Sequence, residues 1–198
     1  METYDAILNR RSIRKFLNRE ISKEQVDIII NAAIQAPSAK NRQPWKFIII
    51  TGEEKAGMMK AMHLGIENIK QSPDDIPFNE SIVQGAEHTA KIMEQAPVTV
   101  FVFNTEAGCM WYEEGSDDRF SQTANIQSIG AAIQNMCLAA TDAGLGSLWI
   151  CDIFLAHKEI SGWLDEKHQL IAAVSFGYPE ENPSTRPRKE YGDIVIWR

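Results

Sequence analysis

Apolar residues recur at helical spacing in several stretches of the chain. Ser22 and Gln25 have the spacing of a capping box, and the apolar residues between Val26 and Ala33 follow at i, i+3, i+4 and i+7. This pattern predicts an amphipathic helix that Pro37 closes. Further helical patterns occupy residues 53–69, 79–95, 120–143 and 153–164.

Short, continuously apolar stretches predict four internal strands. They occupy residues 46–51, 97–104, 147–151 and 169–177. The first of them, Lys46 to Thr51, shows no alternation of apolar and polar residues, which predicts burial on both faces. Four short strands among five or six helices predict an α+β fold built as a layered sandwich.

Both ends of the chain carry apolar side chains in short elements. A helix from Thr3 to Asn9 should turn Tyr4, Ile7 and Leu8 toward the core. The stretch from Ile194 to Trp197 has the composition of a strand and follows an extended tail, so it would join a sheet of its own subunit or of a neighbouring one.

Composition and charge restrict the class of protein. A chain of 198 residues with 44% hydrophobic and 24% charged residues fits a single globular domain over residues 1–198. The net charge of −7 argues against nucleic acid or an anionic membrane as the main partner. We find no apolar run near the roughly 20 residues that span a bilayer, and no signal peptide, so we expect a cytoplasmic enzyme.

Common catalytic and metal-binding motifs are missing from the sequence. The three cysteines form no Cys-x-x-Cys pair and the four histidines form no zinc-binding pair, so no metal site is predicted. Gly144-x-Gly146 lacks the third glycine of a dinucleotide fingerprint and follows a helix rather than a strand. There is no Walker A loop and no Gly-x-Ser-x-Gly elbow.

Two basic clusters near opposite ends of this acidic chain are candidates for phosphate binding. One contains Arg10, Arg11, Ser12 and Arg14, and the other runs from Arg186 to Lys189. Guanidinium groups and hydroxyls suit a phosphate and the polar edge of a planar ligand. We therefore hypothesise that the chain ends converge on one phosphorylated cofactor, while the alternative is two solvated charged surfaces.

Two loops could complete such a site. Asn41 and Gln43, in the loop between Pro37 and Pro44, carry amides that match the edge of a heterocycle. The turn at residues 144–147 has two glycines, which would let backbone N–H groups approach a ligand closely. Each feature also has a purely structural explanation, as a proline-bounded turn or a helix end.

The order of these segments resembles the FMN-dependent nitroreductase family, over most of the chain. That resemblance implies a three-layer α-β-α sandwich with a central, mostly antiparallel sheet, and a homodimer with FMN at its interface. A C-terminal strand in such a dimer can be exchanged between subunits. The resemblance rests on residues 10–14, 36–45, 126–149, 177–179 and 187–189.

The resemblance also implies roles for individual residues. Arg10, Ser12 and Arg14 match positions that hold the phosphate and pyrimidine edge of the flavin, with Arg11 beside them. Arg14 would favour the negative charge that the flavin carries after hydride uptake. The other cofactor-binding residues that the resemblance implies are Pro37, Ser38, Ala39, Asn41, Gln43, Leu145, Gly146, Arg186, Arg188 and Lys189.

The function implied is an NAD(P)H oxidoreductase, in which FMN performs the chemistry and no side-chain nucleophile is needed. NADPH or NADH would donate a hydride and leave, and a nitroaromatic, quinone or similar aromatic acceptor would then be reduced. Met110, Trp111 and Tyr112 would stack on such an acceptor or serve as core or interface residues. The alternatives are a specialised flavin enzyme on the same fold, dehalogenase-like or flavin-fragmenting, and a flavin carrier or sensor without turnover.

Overall fold

The computed structural model describes residues 1–71, 80–106 and 116–198, with the side chains of residues 116–119 left out. Met110, Trp111 and Tyr112 lie outside the described residues. The helices are α1 (Thr3–Asn9), α2 (Lys23–Ile34), α3 (Glu54–Gln71), α4 (Glu80–Gln95), α5 (Ser116–Asp142), α6 (His157–Trp163) and α7 (Tyr191–Ile194). Short 3-10 helices cover Ala39–Asn41 and Asp152–Ala156.

Four strands form one antiparallel sheet, as predicted. They are β1 (Trp45–Thr51), β2 (Val98–Asn104), β3 (Gly146–Ile150) and β4 (Gln169–Gly177), and their spatial order is β1-β2-β4-β3. All three pairings are antiparallel. Since β3 is an edge strand, its outer side is open to another segment of the chain.

Helices cover both faces of the sheet and create two apolar cores. On one face, α3 and α4 bury Met58, Met62 and Met93 against the sheet. On the other face, α2 and α5 bury Ile29 and Ile133 against it. These three layers confirm the predicted α+β sandwich.

The predicted start of α2 at the Ser22 capping box is also confirmed. The backbone N–H of Gln25 donates to Oγ of Ser22 over 3.3 Å, and the backbone N–H of Ser22 donates back to Oε1 of Gln25 over 3.2 Å. This reciprocal pair satisfies two donors that the first turn of α2 leaves free.

The apolar stripe predicted for α5 is confirmed in large part. Ile126 is exposed, while the rest of the predicted stripe from Ile129 to Ala140 is buried.

The prediction that β1 is buried on both faces is wrong. The strand lies at the sheet edge next to β2, and Ile49 is 41% exposed although Ile50 is buried. All seven residues of β2 are buried, because β2 lies between β1 and β4 with helices on both faces. An uninterrupted apolar run is therefore compatible with an edge strand as well as with a central strand of this sheet.

The apolar residues near both chain ends are exposed, which contradicts the prediction for the first helix. Tyr4 and Leu8 are 69% and 53% exposed, Ile7 is also exposed, and α1 buries only Ala6. The stretch from Ile194 to Trp197 does not form a strand in the single chain, since residues 191–194 make a short helix and the following residues pair with no strand. Pairing of this stretch with a partner subunit stays a prediction.

Within the described residues, no helix combines the length and the apolar character that crossing a membrane would require.

Candidate functional site

The basic segment from Arg10 to Lys15 lies along the open side of β3. The backbone N–H of Ile13 donates to the carbonyl oxygen of Ser147 over 2.9 Å, and Ser12 forms a parallel bridge with Ser147. Ile13 is buried, while Arg14 is half-buried beside it. Because neighbouring residues of an extended segment point to opposite sides, burying Ile13 turns the side chains of Ser12 and Arg14 away from the core.

Residues 178–190, here called the C-terminal strap, lie along the other side of the same segment. The N–H of Leu17 donates to the carbonyl of Tyr178 over 2.9 Å, and the N–H of Glu180 donates to the carbonyl of Lys15 over 3.0 Å. Arg11 also donates a hydrogen bond to the hydroxyl of Thr185. The two ends of the chain therefore converge, as the two basic clusters predicted.

The converging ends enclose a small cavity of about 130 Å³, here called the arginine cavity. Its walls combine both predicted clusters with a stretch of the strap: Arg10, Arg11, Ser12, Arg14, Pro183, Ser184, Thr185, Arg186 and Arg188. Lys189 directly follows Arg188 but does not line the cavity as described. Five guanidinium-bearing residues thus surround a volume large enough for a phosphate group.

Within the described residues, no ion pair neutralises the positive charge of the arginine cavity. Arg14 donates to the carbonyl of Ser12 over 3.2 Å, and Arg188 donates to the carbonyl of Arg186 over 3.1 Å. Among the described ion pairs, none joins an arginine side chain to a carboxylate. Clustered cations repel one another, so a bound anion would stabilise this arrangement.

The glycine turn before β3 supports the basic segment. Gly144 has φ of +73°, the left-handed conformation expected at a helix end. Gly146 packs so closely under Ile13 that a side chain there would clash with it. Leu145 and Gly146 line a second, open cavity of about 660 Å³, and Arg11 lines this cavity as well as the arginine cavity.

The loop from Pro37 to Pro44 contains three residues with an unusual backbone. Lys40, Asn41 and Gln43 have φ values of +54°, +54° and +50°, which cost energy for residues other than glycine. The loop is stabilised by a hydrogen bond of 3.0 Å from the N–H of Gln43 to Oγ of Ser38. Nε2 of Gln43 also donates to Oδ1 of Asn41 over 3.2 Å, so the two predicted amides lie side by side.

This loop lies in a different groove from the arginine cavity. The N–H of Ala39 donates to Oγ of Ser128 in α5 over 3.3 Å. The groove is lined by Pro37, Ser38, Ala39, Ala124, Gln127, Ser128 and Ala131. A single chain therefore brings the predicted arginines together but does not place Pro37, Ser38 and Ala39 in the same cavity with them.

Two carboxylates near these elements have roles that the sequence did not indicate. Glu181 in the strap accepts a hydrogen bond from the backbone N–H of Arg14. Glu166, only 4% exposed, pairs with Lys46 at the start of β1 and accepts from the N–H of His168 over 3.0 Å. Burial by itself would raise the pKa of Glu166, but the hydrogen bonds from Lys46 and His168 outweigh it and lower the pKa to about 2.

Both carboxylates are distant in sequence from the groups they bind. Glu181 is 167 residues from Arg14, and Glu166 is 120 residues from Lys46. No local sequence pattern connects residues so far apart. The nearest sequence signal to Glu181 is the Gly177-Tyr-Pro179 segment just before it.

Comparison with known proteins agrees with the fold. The Nitroreductase family profile matches residues 7–178, so the chain belongs to the Nitroreductase family. This match includes the basic segment, the loop at residues 37–44 and the glycine turn.

Individual relatives are similar over nearly their whole length. A protein of Methanothermobacter thermautotrophicus, with the provisional name NADH dehydrogenase/NAD(P)H nitroreductase, is 28% identical over 94% of this chain and 82% of its own. A BluB-like flavoprotein from Clostridium difficile 630 is 28% identical with a TM-score of 0.80, covering 100% of this chain and 99% of that one. A nitroreductase-type protein from Desulfovibrio desulfuricans, solved in complex with FMN, is 26% identical with a TM-score of 0.74, covering 100% and 97%.

Proposed function

We propose that the chain is an FMN-dependent NAD(P)H oxidoreductase that reduces nitroaromatic, quinone or similar acceptors. The observation that carries this proposal is the arginine cavity, in which both ends of an acidic chain supply arginines that form no ion pair with a carboxylate of the described residues. Membership of the Nitroreductase family and the FMN complex of a relative support the choice of cofactor. Nitroaromatic acceptors are suggested by the names of relatives.

The residues present fit the phosphate end of FMN. A phosphate offers three acceptor oxygens, and the arginine cavity offers several guanidinium donors together with the hydroxyl of Ser12. We assign Arg10, Ser12 and Arg188 to the phosphate and place Arg14 toward the pyrimidine edge. Arg11 and Arg186 complete the positive wall, and Lys189 would contribute from just outside it.

The planar part of the cofactor requires the two loops. We assign Pro37, Ser38 and Ala39 to the surface beside the isoalloxazine, with Asn41 and Gln43 at its polar edge. The backbone of Leu145 and Gly146 would approach N5 and O4. When bound, FMN supplies hydride transfer through N5, so the protein needs to bind, orient and shield it rather than provide a nucleophile.

Arg14 is the residue that we expect to tune this chemistry. A fixed positive charge beside the pyrimidine edge stabilises negative charge there and thereby raises the tendency to accept a hydride. Arg14 suits this role because the N–H of its own backbone is bonded to Glu181 while its side chain faces the cavity. The donor and the acceptor would use one open face of the site in turn, which is a ping-pong mechanism.

A homodimer would complete the site. The arginine cavity and the groove at residues 37–39 are separate in one chain, and exposed apolar side chains cover α1 and the chain end beyond Glu190. Burying Tyr4, Leu8 and Trp197 against a second copy would remove a large apolar surface from water. We propose that each flavin is bound by the arginine cavity of one subunit and the groove at residues 37–39 of the other. We also propose that the enzyme works in the cytoplasm.

The experiment that tests the cofactor assignment is a titration of the purified chain with FMN, followed by flavin fluorescence. We expect one FMN per chain, and at least a tenfold weaker Kd in Arg14→Ala and in Arg188→Ala. Lys60→Ala, an exposed lysine on α3, is the control and should bind like the wild type. Unchanged FMN affinity in both arginine variants would contradict the assignment.

A further inference from the structure

We infer that Glu181 is a positioning residue for FMN binding, which acts by fixing the backbone of Arg14. The inference rests on the proposed function, since it concerns how the arginine cavity keeps its shape. It begins from a carboxylate that the structure places beside a cluster of five arginines without pairing it to any of their side chains.

The hydrogen bond of Glu181 replaces a missing ladder partner. The segment from Arg10 to Lys15 is held on one side by Ser147 of β3 and on the other side by the strap. Backbone bonds connect the strap to Lys15 and Leu17, but the N–H of Arg14 faces no strap carbonyl and donates to Oε1 of Glu181 instead. A buried or half-buried backbone N–H needs such a partner, because leaving it unpaired is costly.

The position of this bond explains why it matters for the cavity. Arg14 lies between Ile13, which packs against Gly146, and Lys15, whose carbonyl accepts from Glu180. With its N–H fixed as well, the backbone of Arg14 has little freedom to move, so its side chain starts from a fixed point on the wall of the arginine cavity. Glu181 also comes just before Pro183 to Thr185, the part of the strap that lines the cavity.

Charge alone would give Glu181 the opposite effect. A carboxylate beside an anion-binding cavity repels a phosphate and competes for the guanidinium groups. Its presence in the strap is therefore favourable only if its geometric role outweighs this repulsion. Charge and reach can be separated by substitution, because glutamine keeps the oxygen at the same reach without the charge, whereas aspartate keeps the charge and is one methylene shorter.

The test compares Glu181→Gln and Glu181→Asp in equilibrium titrations of the full-length chain with FMN. We expect Glu181→Gln to bind FMN within threefold of the wild type, and Glu181→Asp to bind at least tenfold more weakly. Glu180→Ala is the matched control, because this neighbouring carboxylate is exposed and the hydrogen bond of Glu180 to the basic segment comes from its backbone N–H. It should stay within threefold of the wild type.

The possible outcomes are distinct. Equal weakening by Glu181→Gln and Glu181→Asp would overturn the inference, because glutamine keeps the oxygen at the same reach and the position of that oxygen would then not explain the loss. Wild-type affinity in Glu181→Asp would overturn it as well, and so would a Glu180→Ala variant as weak as Glu181→Asp. The titration of the wild-type chain comes first and tests the proposed function. A wild-type chain that binds no FMN would overturn that function rather than the inference about Glu181.

Discussion

Gly146 lies directly beneath Ile13, and a Cβ atom built on Gly146 would stand 2.7 Å from Cγ1 of Ile13. Such a contact is far shorter than a normal carbon–carbon approach of about 3.5–4.0 Å. The glycine at this position is thus needed for the basic segment to pack onto β3. The sequence suggested a different reason, close approach of the backbone to a ligand, and the two reasons are compatible because both concern the same edge of the sheet.

We expect Gly146→Ala to destabilise the protein by about 1–3 kcal/mol, because the new methyl group overpacks the contact with Ile13. The variant should also bind FMN more weakly, since displacing Ile13 displaces the arginines beside it. Urea unfolding and FMN titration measure the two effects.

Gly85→Ala is the matched control for this substitution. Gly85 lies in α4, and a Cβ atom built there would meet nothing within 4 Å. Alanine in a helix is favoured over glycine by about 0.5–1 kcal/mol, so this variant should be as stable as the wild type or more stable. Similar losses of stability in both variants would show that the Gly146 contact is not specific.

The left-handed backbone of Lys40 gives a second prediction. At φ of +54° a lysine pays about 1 kcal/mol that glycine does not pay, so Lys40→Gly should not lower the free energy of unfolding. Lys60→Gly, in the interior of α3, should lower it by about 1 kcal/mol. Urea unfolding of the two variants measures both free energies of unfolding. An equal loss in both would contradict the left-handed backbone at Lys40.

The buried carboxylate of Glu166 predicts how stability depends on pH. Its pKa is about 2 in the folded protein against an ordinary 4.5, so its contribution is complete well above pH 4.5 and is lost as the pH falls toward 2. Between pH 6 and pH 3 this single group should cost about 2 kcal/mol of stability.

Urea unfolding at the two pH values measures this effect. The Glu166→Gln variant should lose about 2 kcal/mol less between pH 6 and pH 3 than the wild type, because its side chain cannot be protonated there. Glu53→Gln, which changes an exposed glutamate, should show the wild-type pH dependence. If Glu166→Gln had the same pH dependence as the wild type, the ion pair with Lys46 would not contribute as described.

The exposed apolar end of the chain should mediate dimer formation. We expect a double substitution of Ile196 and Trp197 by serine to shift the protein from dimer to monomer, because these side chains are 80% and 85% exposed in the single chain. Light scattering coupled to size-exclusion chromatography measures the mass. Leu64→Ser, which changes an exposed leucine of α3, should leave the mass unchanged, and a dimeric double variant would contradict this interface.

Much of the fold could be predicted from the sequence because it depends on local patterns. The capping box at Ser22 fixes the start of α2, and the apolar runs locate all four strands to within about one residue. The position of a strand within the sheet could not be predicted in this way. β1 and β2 are similarly apolar, but only pairing between distant segments makes one an edge strand and the other a central strand.

The candidate site shows the same division. The clusters at Arg10 to Arg14 and Arg186 to Arg188 are visible in the sequence, since residues of one charge stand side by side. Glu181 is not distinguished from other glutamates until the strap folds back onto Arg14. The exposure of Tyr4 and Leu8 could not be predicted either, because the pattern of an apolar helix face does not tell whether that face packs on the chain's own core or elsewhere.

The measurement that tests the central claim most directly is the absorbance spectrum of the purified protein, recorded before and after anaerobic addition of NADPH or NADH. We expect flavin absorbance that bleaches with either nucleotide and returns, with intact FMN, when a nitroaromatic or quinone acceptor is added. A yellow protein that neither nucleotide reduces would indicate a carrier or sensor, and loss of the flavin itself would indicate a flavin-fragmenting enzyme. A colourless protein that cannot be reconstituted with FMN would contradict the account.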